Sequence, residues 1–300
     1  MRIGVFGGDT AGRTLEQVIA DAKSAEAEGF AVYGLPQIFA LDAMGVFAAV
    51  AQHVPRIEFA TGVVPTYGRH PLTMAQQALT VQACSGNRFI LGIGLSHQMV
   101  IENMFGLSFD KPVRHMREYL SVLMPLLHDG SVAFQGETIS TAIGLGVADR
   151  VAPPVLVAAL GTQMLNVAGR LADGTVTWMT GPATLGSHIV PTITAAAEKE
   201  GRPAPQISSA FPICLTDDLD GARERASEVF QVYGMLPSYR AMLDREGAEK
   251  PGDVAIVGDE AALEKALRQI EDAGVTEFTA AFFGSREEIA RTRAWLASQV

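Results

Sequence analysis

The chain reads as an α/β protein, a (β/α)8 (TIM) barrel with insertions, and three observations predict it. Strand-like and helix-like segments alternate almost without a break along 300 residues. Eight strand–helix units can be counted, with one extra helical stretch between Gly221 and Asp259. No Ser- or Pro-rich linker divides the chain, so residues 1–300 are read as one barrel domain rather than a doubly wound sheet plus a second unit.

The elements follow in order. Arg2–Phe6 is a short apolar strand, and Thr14–Glu28 is an amphipathic helix with Leu15, Val18, Ile19 and Ala22 on one stripe. Gly29 stops that helix before the strand Ala31–Leu35, and Asp42 caps a helix over Ala43–His53. Ile57–Val64 is β-branched and apolar; Arg69-His70-Pro71 opens a helix that Ser85-Gly86-Asn87 closes; Phe89–Gly94 is an uninterrupted apolar strand. Two parallel strands joined by a helix form the repeating unit of such folds. Lys111–His128 is a helix, and Ser131–Ser140 a surface hairpin turning at Gln135-Gly136. Val155–Leu160, Gln163–Ala172, Thr175–Trp178 and Pro182–Glu200 continue the alternation. Ile207–Leu215, a helical insertion over Gly221–Leu243, Glu260–Ala273, Glu277–Phe283 and Arg286–Ser298 complete it. Ala25–Phe30 and Ile270–Val275 echo each other as helix end, Gly stop and strand start.

Composition narrows the function. Lysines and arginines number 23 against 33 acidic residues, a net charge of −10, which disfavours nucleic acid as a partner. Cys84 and Cys214 are too few for a disulfide framework or a zinc site, and the six histidines are dispersed, so no metal is expected. No apolar run approaches the roughly 18 residues of a membrane span, and the first residues enter a strand without a signal-peptide pattern. A cytoplasmic protein acting on a small molecule is expected.

A barrel carries its function on the loops that follow each strand. After the first strand, Gly7–Thr14 matches a phosphate loop except that Arg13 replaces the lysine; a flexible Gly-rich lid fits it better. After the second, Gln37 is either a ligand contact or a turn residue, and it carries no proton in catalysis. After the third come Gly62, Val63, Val64, Pro65, Thr66 and Tyr67, and after the fourth Gly94, Leu95, Ser96 and His97. His97 either lines a ligand or packs within its loop, whereas His70 braces the start of its helix. After the fifth, Ala159, Leu160, Gly161 and Thr162 run into a helix whose first N–H groups are free for an anion. These loops hold few ionisable groups, which suits an enzyme whose cofactor performs the hard step.

Gly68-Arg69-His70-Pro71 through Gly92-Ile93-Gly94, with Val157–Gly161 and Ala168–Gly174, resembles the luciferase-like flavin oxidoreductase superfamily, and within it the branch using the deazaflavin coenzyme F420, such as methylene-tetrahydromethanopterin reductase. The likeness covers residues 1–215 well and the rest loosely. It implies a (β/α)8 barrel, a homodimer, and a cofactor at the carboxyl ends of the strands. It also implies a non-prolyl cis peptide at Gly62–Val63 behind the cofactor ring. By the same resemblance Gly94 to His97 and Ala159 to Thr162 hold the ring and its phosphate tail. The chain departs from the pattern at Gln37, where many members have an acidic residue or His. It departs again at Leu95, where sugar-phosphate dehydrogenases have Glu, and at Gly161-Thr162-Gln163 in place of Gly-Pro-Lys. The expected activity is hydride transfer between F420 and an electrophilic carbon of a moderately hydrophobic molecule, with His97, Tyr67 or water supplying the proton. Leu35, Phe39, Leu95, Trp178 and Met179 are the expected apolar mouth. The alternatives are an FMN-dependent monooxygenase on the same barrel and a non-catalytic flavin- or deazaflavin-binding protein.

Overall fold

The computed structural model describes residues 1–300. Its centre is a closed cylinder of parallel strands: β1 (Arg2–Phe6), β2 (Val32–Leu35), β3 (Glu58–Thr61), β4 (Phe89–Gly94), β5 (Val155–Ala158), β6 (Gly174–Trp178), β7 (Gln206–Leu215) and β8 (Glu277–Phe282). The ring closes because β8 pairs with β1, Arg2 opposite Glu277 through Val5 opposite Ala280, and also with β7, Ser208 opposite Glu277 through Ile213 opposite Phe282. Strands in such a ring are buried on both faces, which is why they read as continuous apolar runs. All six residues of β4 are buried.

Local sequence sets the helix starts. Helix α1 (Leu15–Ala27) begins with a capping box between Thr14 and Gln17. In α2 (Ala43–Val50) the Asp42 carboxylate accepts from the Gly45 N–H at 2.7 Å. In α3 (Pro71–Cys84) the His70 Nδ1 accepts from the Leu72 N–H at 3.2 Å, so His70 braces its helix as expected. Helix α4 (Pro112–His128) holds the buried Glu118, which accepts the backbone N–H groups of Glu137, Thr138 and Ile139 and the Thr138 hydroxyl. That carboxylate pins down the hairpin Ser131–Gln135/Ser140–Gly144, which runs four residues further than the sequence indicates.

Three expected elements are interrupted. The third strand ends at Thr61; the Gly62–Val63 peptide is cis, as the resemblance implies, and Val64–Pro65 then pairs with Ile93–Gly94. The expected helix Pro182–Glu200 contains a π-helical turn at Leu185–Ile189 before Val190–Lys199. The expected insertion helix is three pieces: Leu219–Val229, Gln231–Met235 and Pro237–Glu246. Pro237 explains the second break, since it holds Leu236 extended at ψ 122°. A short strand, Ile256–Gly258, follows and pairs with the end of β7. No helix is long and apolar enough to cross a membrane.

Candidate active site at the mouth of the barrel

Glycines shape the floor of the mouth. The Phe6 ring, at the end of β1, fills the barrel interior: a Cβ on Gly62 would lie 2.8 Å from its Cε2, and one on Gly34 3.0 Å from its Cδ2. A Cβ on Gly92 would run into the Thr61 carbonyl oxygen, and one on Gly94 would lie 2.6 Å from Val63 Cγ2 and 3.2 Å from Ala158 Cβ. The Gly-x-Gly of β4 therefore seats Val63 against the strand surface rather than turning around a phosphate. The Gly94 carbonyl accepts the Thr66 N–H at 2.8 Å, which fixes the end of β3 to β4.

Beyond β4 the chain turns at Ser96, whose φ of 60° is uncommon for a residue with a side chain. His97 follows, half-buried, with its ring 6.1 Å from that of Tyr239. Burial pulls the His97 pKa below the usual imidazole value, so the ring is neutral at pH 7. Tyr239 belongs to the insertion, and from it a chain of rings crosses the mouth. Tyr239 meets Tyr233 at 4.9 Å, Tyr233 meets Trp178 at 5.9 Å, and Trp178 stacks on Phe6 at 6.3 Å. Two small apolar clusters seat the insertion on the barrel: Met179 with Leu243 and Val254, and Cys214 with Ala222, Ala226, Val257 and Phe283. The insertion thus roofs the β6–β8 side of the mouth. Met179 and Leu35 are buried structural residues, whereas Phe39 is exposed.

On the β2–β5 side the insertion reaches the loop after β4, where Tyr239 meets His97. Gln37 Oε1 accepts the Ala43 N–H at 2.7 Å and helps cap α2, which leaves its amide NH2 for other contacts. Tyr67 is buried, stacked on His115 at 4.1 Å and leaning on Phe109, and its hydroxyl has no hydrogen-bond partner. Burial, with Asp110 nearby, pushes the Tyr67 pKa up, so the phenol keeps its proton. His115 Nε2 meets the Thr66 hydroxyl at 3.0 Å. The structure thus gives Tyr67 and His97 separate neighbours, while Val63, Val64, Gly94 and Ala158 come together at the junction of β3, β4 and β5. After β5, Ala159 is buried, and Leu160 leads to Gly161 and helix α5 (Thr162–Leu171), whose first turn has no side-chain cap. The Leu160 carbonyl is held by the buried His188 Nε2 at 2.8 Å. His188, Tyr233 and Tyr239 escaped the reading of the sequence; the two tyrosines stand out only as aromatics in a polar stretch.

Arg13 is not a phosphate ligand here. It bonds its own loop at the Gly7 carbonyl, 2.5 Å, and Asp21 at 3.3 Å. No cluster of three or more His, Cys, Asp or Glu side chains could hold a metal ion.

A closed barrel with its loops arranged in this way defines a class, and the chain belongs to the luciferase-like monooxygenase family, whose model matches residues 1–296. Among its relatives is an uncharacterised protein of Mycobacterium tuberculosis, 26% identical over 212 residues, or 66% of this chain and 62% of that one. The chain thus aligns with less than two-thirds of that relative's length. A 5,10-methylenetetrahydromethanopterin reductase of Methanolobus tindarius is 27% identical over 240 residues, 79% of this chain and 73% of that one. The structure of the coenzyme F420-dependent tetrahydromethanopterin reductase of Methanopyrus kandleri superposes with a TM-score of 0.81 at 22% identity, covering 100% of this chain and 98% of that one.

Proposed function

We propose that the protein is a coenzyme F420-dependent oxidoreductase that transfers a hydride between the deazaflavin and an electrophilic carbon of an uncharged small molecule. The observation that carries the reading is the junction of β3, β4 and β5. There Val63 lies over Gly92 and Gly94, next to an α5 N-terminus with no side-chain cap. A flat apolar seat beside free backbone N–H groups fits a planar ring that carries an anionic tail.

Bound F420 in its reduced form supplies a hydride. Val63, Val64, Gly94, Leu95 and Ser96 would hold the ring, and Ala159, Leu160, Gly161 and Thr162 its tail, with the Gln37 amide at the rim. The insertion covers the far side of the mouth, and water displaced from there by a bound substrate would strengthen electrostatic contacts within it. A proton completes the reduction, donated by His97, Tyr67 or water. His97 is favoured because it faces the aromatic side of the mouth.

The test is a fluorescence titration of the purified protein with oxidised F420 and, in parallel, FMN. Micromolar or tighter binding of the deazaflavin alone is expected; preference for FMN overturns the reading in favour of oxygen chemistry, which the description of the matched family also fits. His97→Ala is expected to lower turnover more than F420 affinity, and an unchanged rate removes His97 from proton transfer. In the native enzyme turnover should rise as pH falls through the lowered His97 pKa, the direction in which the imidazole gains its proton.

A further inference from the structure

We propose that the roofed half of the mouth is a substrate pocket selective for an uncharged, planar, conjugated carbonyl compound, chosen by Trp178, Tyr233 and Tyr239 and guarded against anions by Glu246 and Glu288. The proposal rests on the oxidoreductase reading for its chemistry, but its evidence lies on the other side of the barrel.

The first observation is the aromatic chain from Phe6 through Trp178 and Tyr233 to Tyr239, with successive ring centroids between 4.9 and 6.3 Å apart. All four rings are half-buried, so each keeps part of its surface open, and a flat conjugated molecule gains most from such surface. The second is a buried donor without an acceptor. Trp178 Nε1–H is buried and makes no hydrogen bond. An unmet buried donor costs stability, and a neutral carbonyl oxygen satisfies it without bringing in a charge.

The third observation concerns charge. Barrel enzymes commonly hold a phosphate at the helix N-terminus after their last strands. Here the helix after β8 is Arg286–Ala297, and its start is filled by the chain's own Glu288. That carboxylate accepts the Ser285 N–H at 2.8 Å, the Thr216 hydroxyl at 2.8 Å and the Arg225 guanidinium at 2.8 Å. These bonds hold the Glu288 carboxyl down at about 2, so it is charged at neutral pH. After β6, the N–H groups of Ala183 and Thr184 are taken by Glu246 at 3.1 and 2.7 Å. Two positions where an anion would dock thus already hold carboxylates. Arg13, Arg69, Arg225 and Arg240, on elements bordering the mouth, are each paired with an acidic residue of the chain. A substrate carboxylate or phosphate entering this side would lose its water and find these donors already taken by the chain's own carboxylates.

The experiment compares two probes of nearly one shape, benzylideneacetone and cinnamate, which share the styryl carbonyl unit and differ by a methyl against a carboxylate oxygen, by isothermal titration calorimetry on the protein with and without F420. Benzylideneacetone is expected to bind about tenfold tighter or better, the scale on which a site rejects a ligand with an unmet charge. Trp178→Phe, which keeps the ring and removes the donor, should weaken benzylideneacetone several-fold while the F420 dissociation constant stays within about twofold. Equal or tighter binding of cinnamate overturns the proposal. If F420 fails to bind while the neutral probe keeps its advantage, the cofactor assignment falls and the pocket assignment stands. If F420 binds and neither probe distinguishes wild type from Trp178→Phe, the pocket assignment falls alone.

Discussion

Replacing Gly94 by alanine tests whether the Gly-x-Gly of β4 exists to seat Val63. The new Cβ would stand 2.6 Å from Val63 Cγ2 and 3.2 Å from Ala158 Cβ. The first distance is well inside van der Waals contact, and relieving it takes either a shift of the loop backbone or a χ1 rotation, which is costly for a β-branched side chain whose other methyl already lies against Gly92. Overpacking of this kind costs about 1–3 kcal/mol. The opposing gain, a less flexible unfolded chain once glycine is gone, is about 0.5–1 kcal/mol. The clash wins, and a net loss of about 1–2 kcal/mol is expected in urea denaturation followed by circular dichroism. If Val63 forms the cofactor seat, F420 affinity should fall at the same time by about tenfold, which corresponds to about 1.4 kcal/mol. The decisive control is the double variant Gly94→Ala/Val63→Ala, because removing the Val63 methyls removes the clash. Its stability should exceed the sum of the two single effects by about 1 kcal/mol, a coupling that independent sites do not show. A Gly94→Ala protein as stable as wild type, or strict additivity in the double variant, refutes the seating argument.

Two further outcomes are expected. Glu118 is 4% exposed, and although burial alone would raise its pKa, four hydrogen bonds from the hairpin hold it at about 2 against the ordinary 4.5. That gap is worth about 3 kcal/mol at neutral pH, present above pH 4.5 and lost as pH falls toward 2; Glu118→Gln should lose about that much at pH 7 in denaturant titrations, and its deficit should shrink on acidification, whereas a pH-independent deficit would place the effect elsewhere. His188→Ala frees the Leu160 carbonyl and should weaken F420 binding several-fold with little change in how turnover depends on substrate, while His188→Gln, which retains a donor, should recover most of the affinity; equal loss in both variants would make the imidazole a packing element only.

Barrel strands were legible where they are buried on both sides: Phe89–Gly94 offers no polar face to confuse with a helix, and Gly29, Asp42 and His70 mark neighbouring boundaries by ordinary stop and cap chemistry. The insertion was not legible in detail. Phe230 and Tyr233 turn toward Trp178 while Val229, Val232 and Met235 are exposed, so apolar residues lie on both faces and no single period emerges. The π-helical turn at Leu185–Ile189 leaves no mark in a local pattern, yet it is the element that carries His188. Strand ends could be found by counting, so Gly62 to Tyr67 and Gly94 to His97 could be placed at the mouth from sequence alone. Which of them share neighbours is a tertiary property: Tyr67 goes with His115 and Phe109, and His97 with Tyr239.

The mouth is built from two different materials, and this bears on why the expected general acids are missing. On the β3–β5 side the proposed seat is made of glycines and backbone N–H groups and would select by shape, so Leu95 and Gln163, where the resembled family carries Glu and Lys, leave it in place. On the β6–β8 side lie aromatic rings and two carboxylates satisfied within the chain, where the proposed pocket would select by charge. An added Glu or Lys on either side would be a buried charge seeking a partner, at a cost the present arrangement avoids. The half-buried imidazole of His97 sits by the insertion without a charged neighbour that shifts it, its pKa set by burial alone. A group of that kind is a proton carrier that holds no permanent charge in the mouth, which an acidic residue at Gln37 or Leu95 could be only by being buried and protonated.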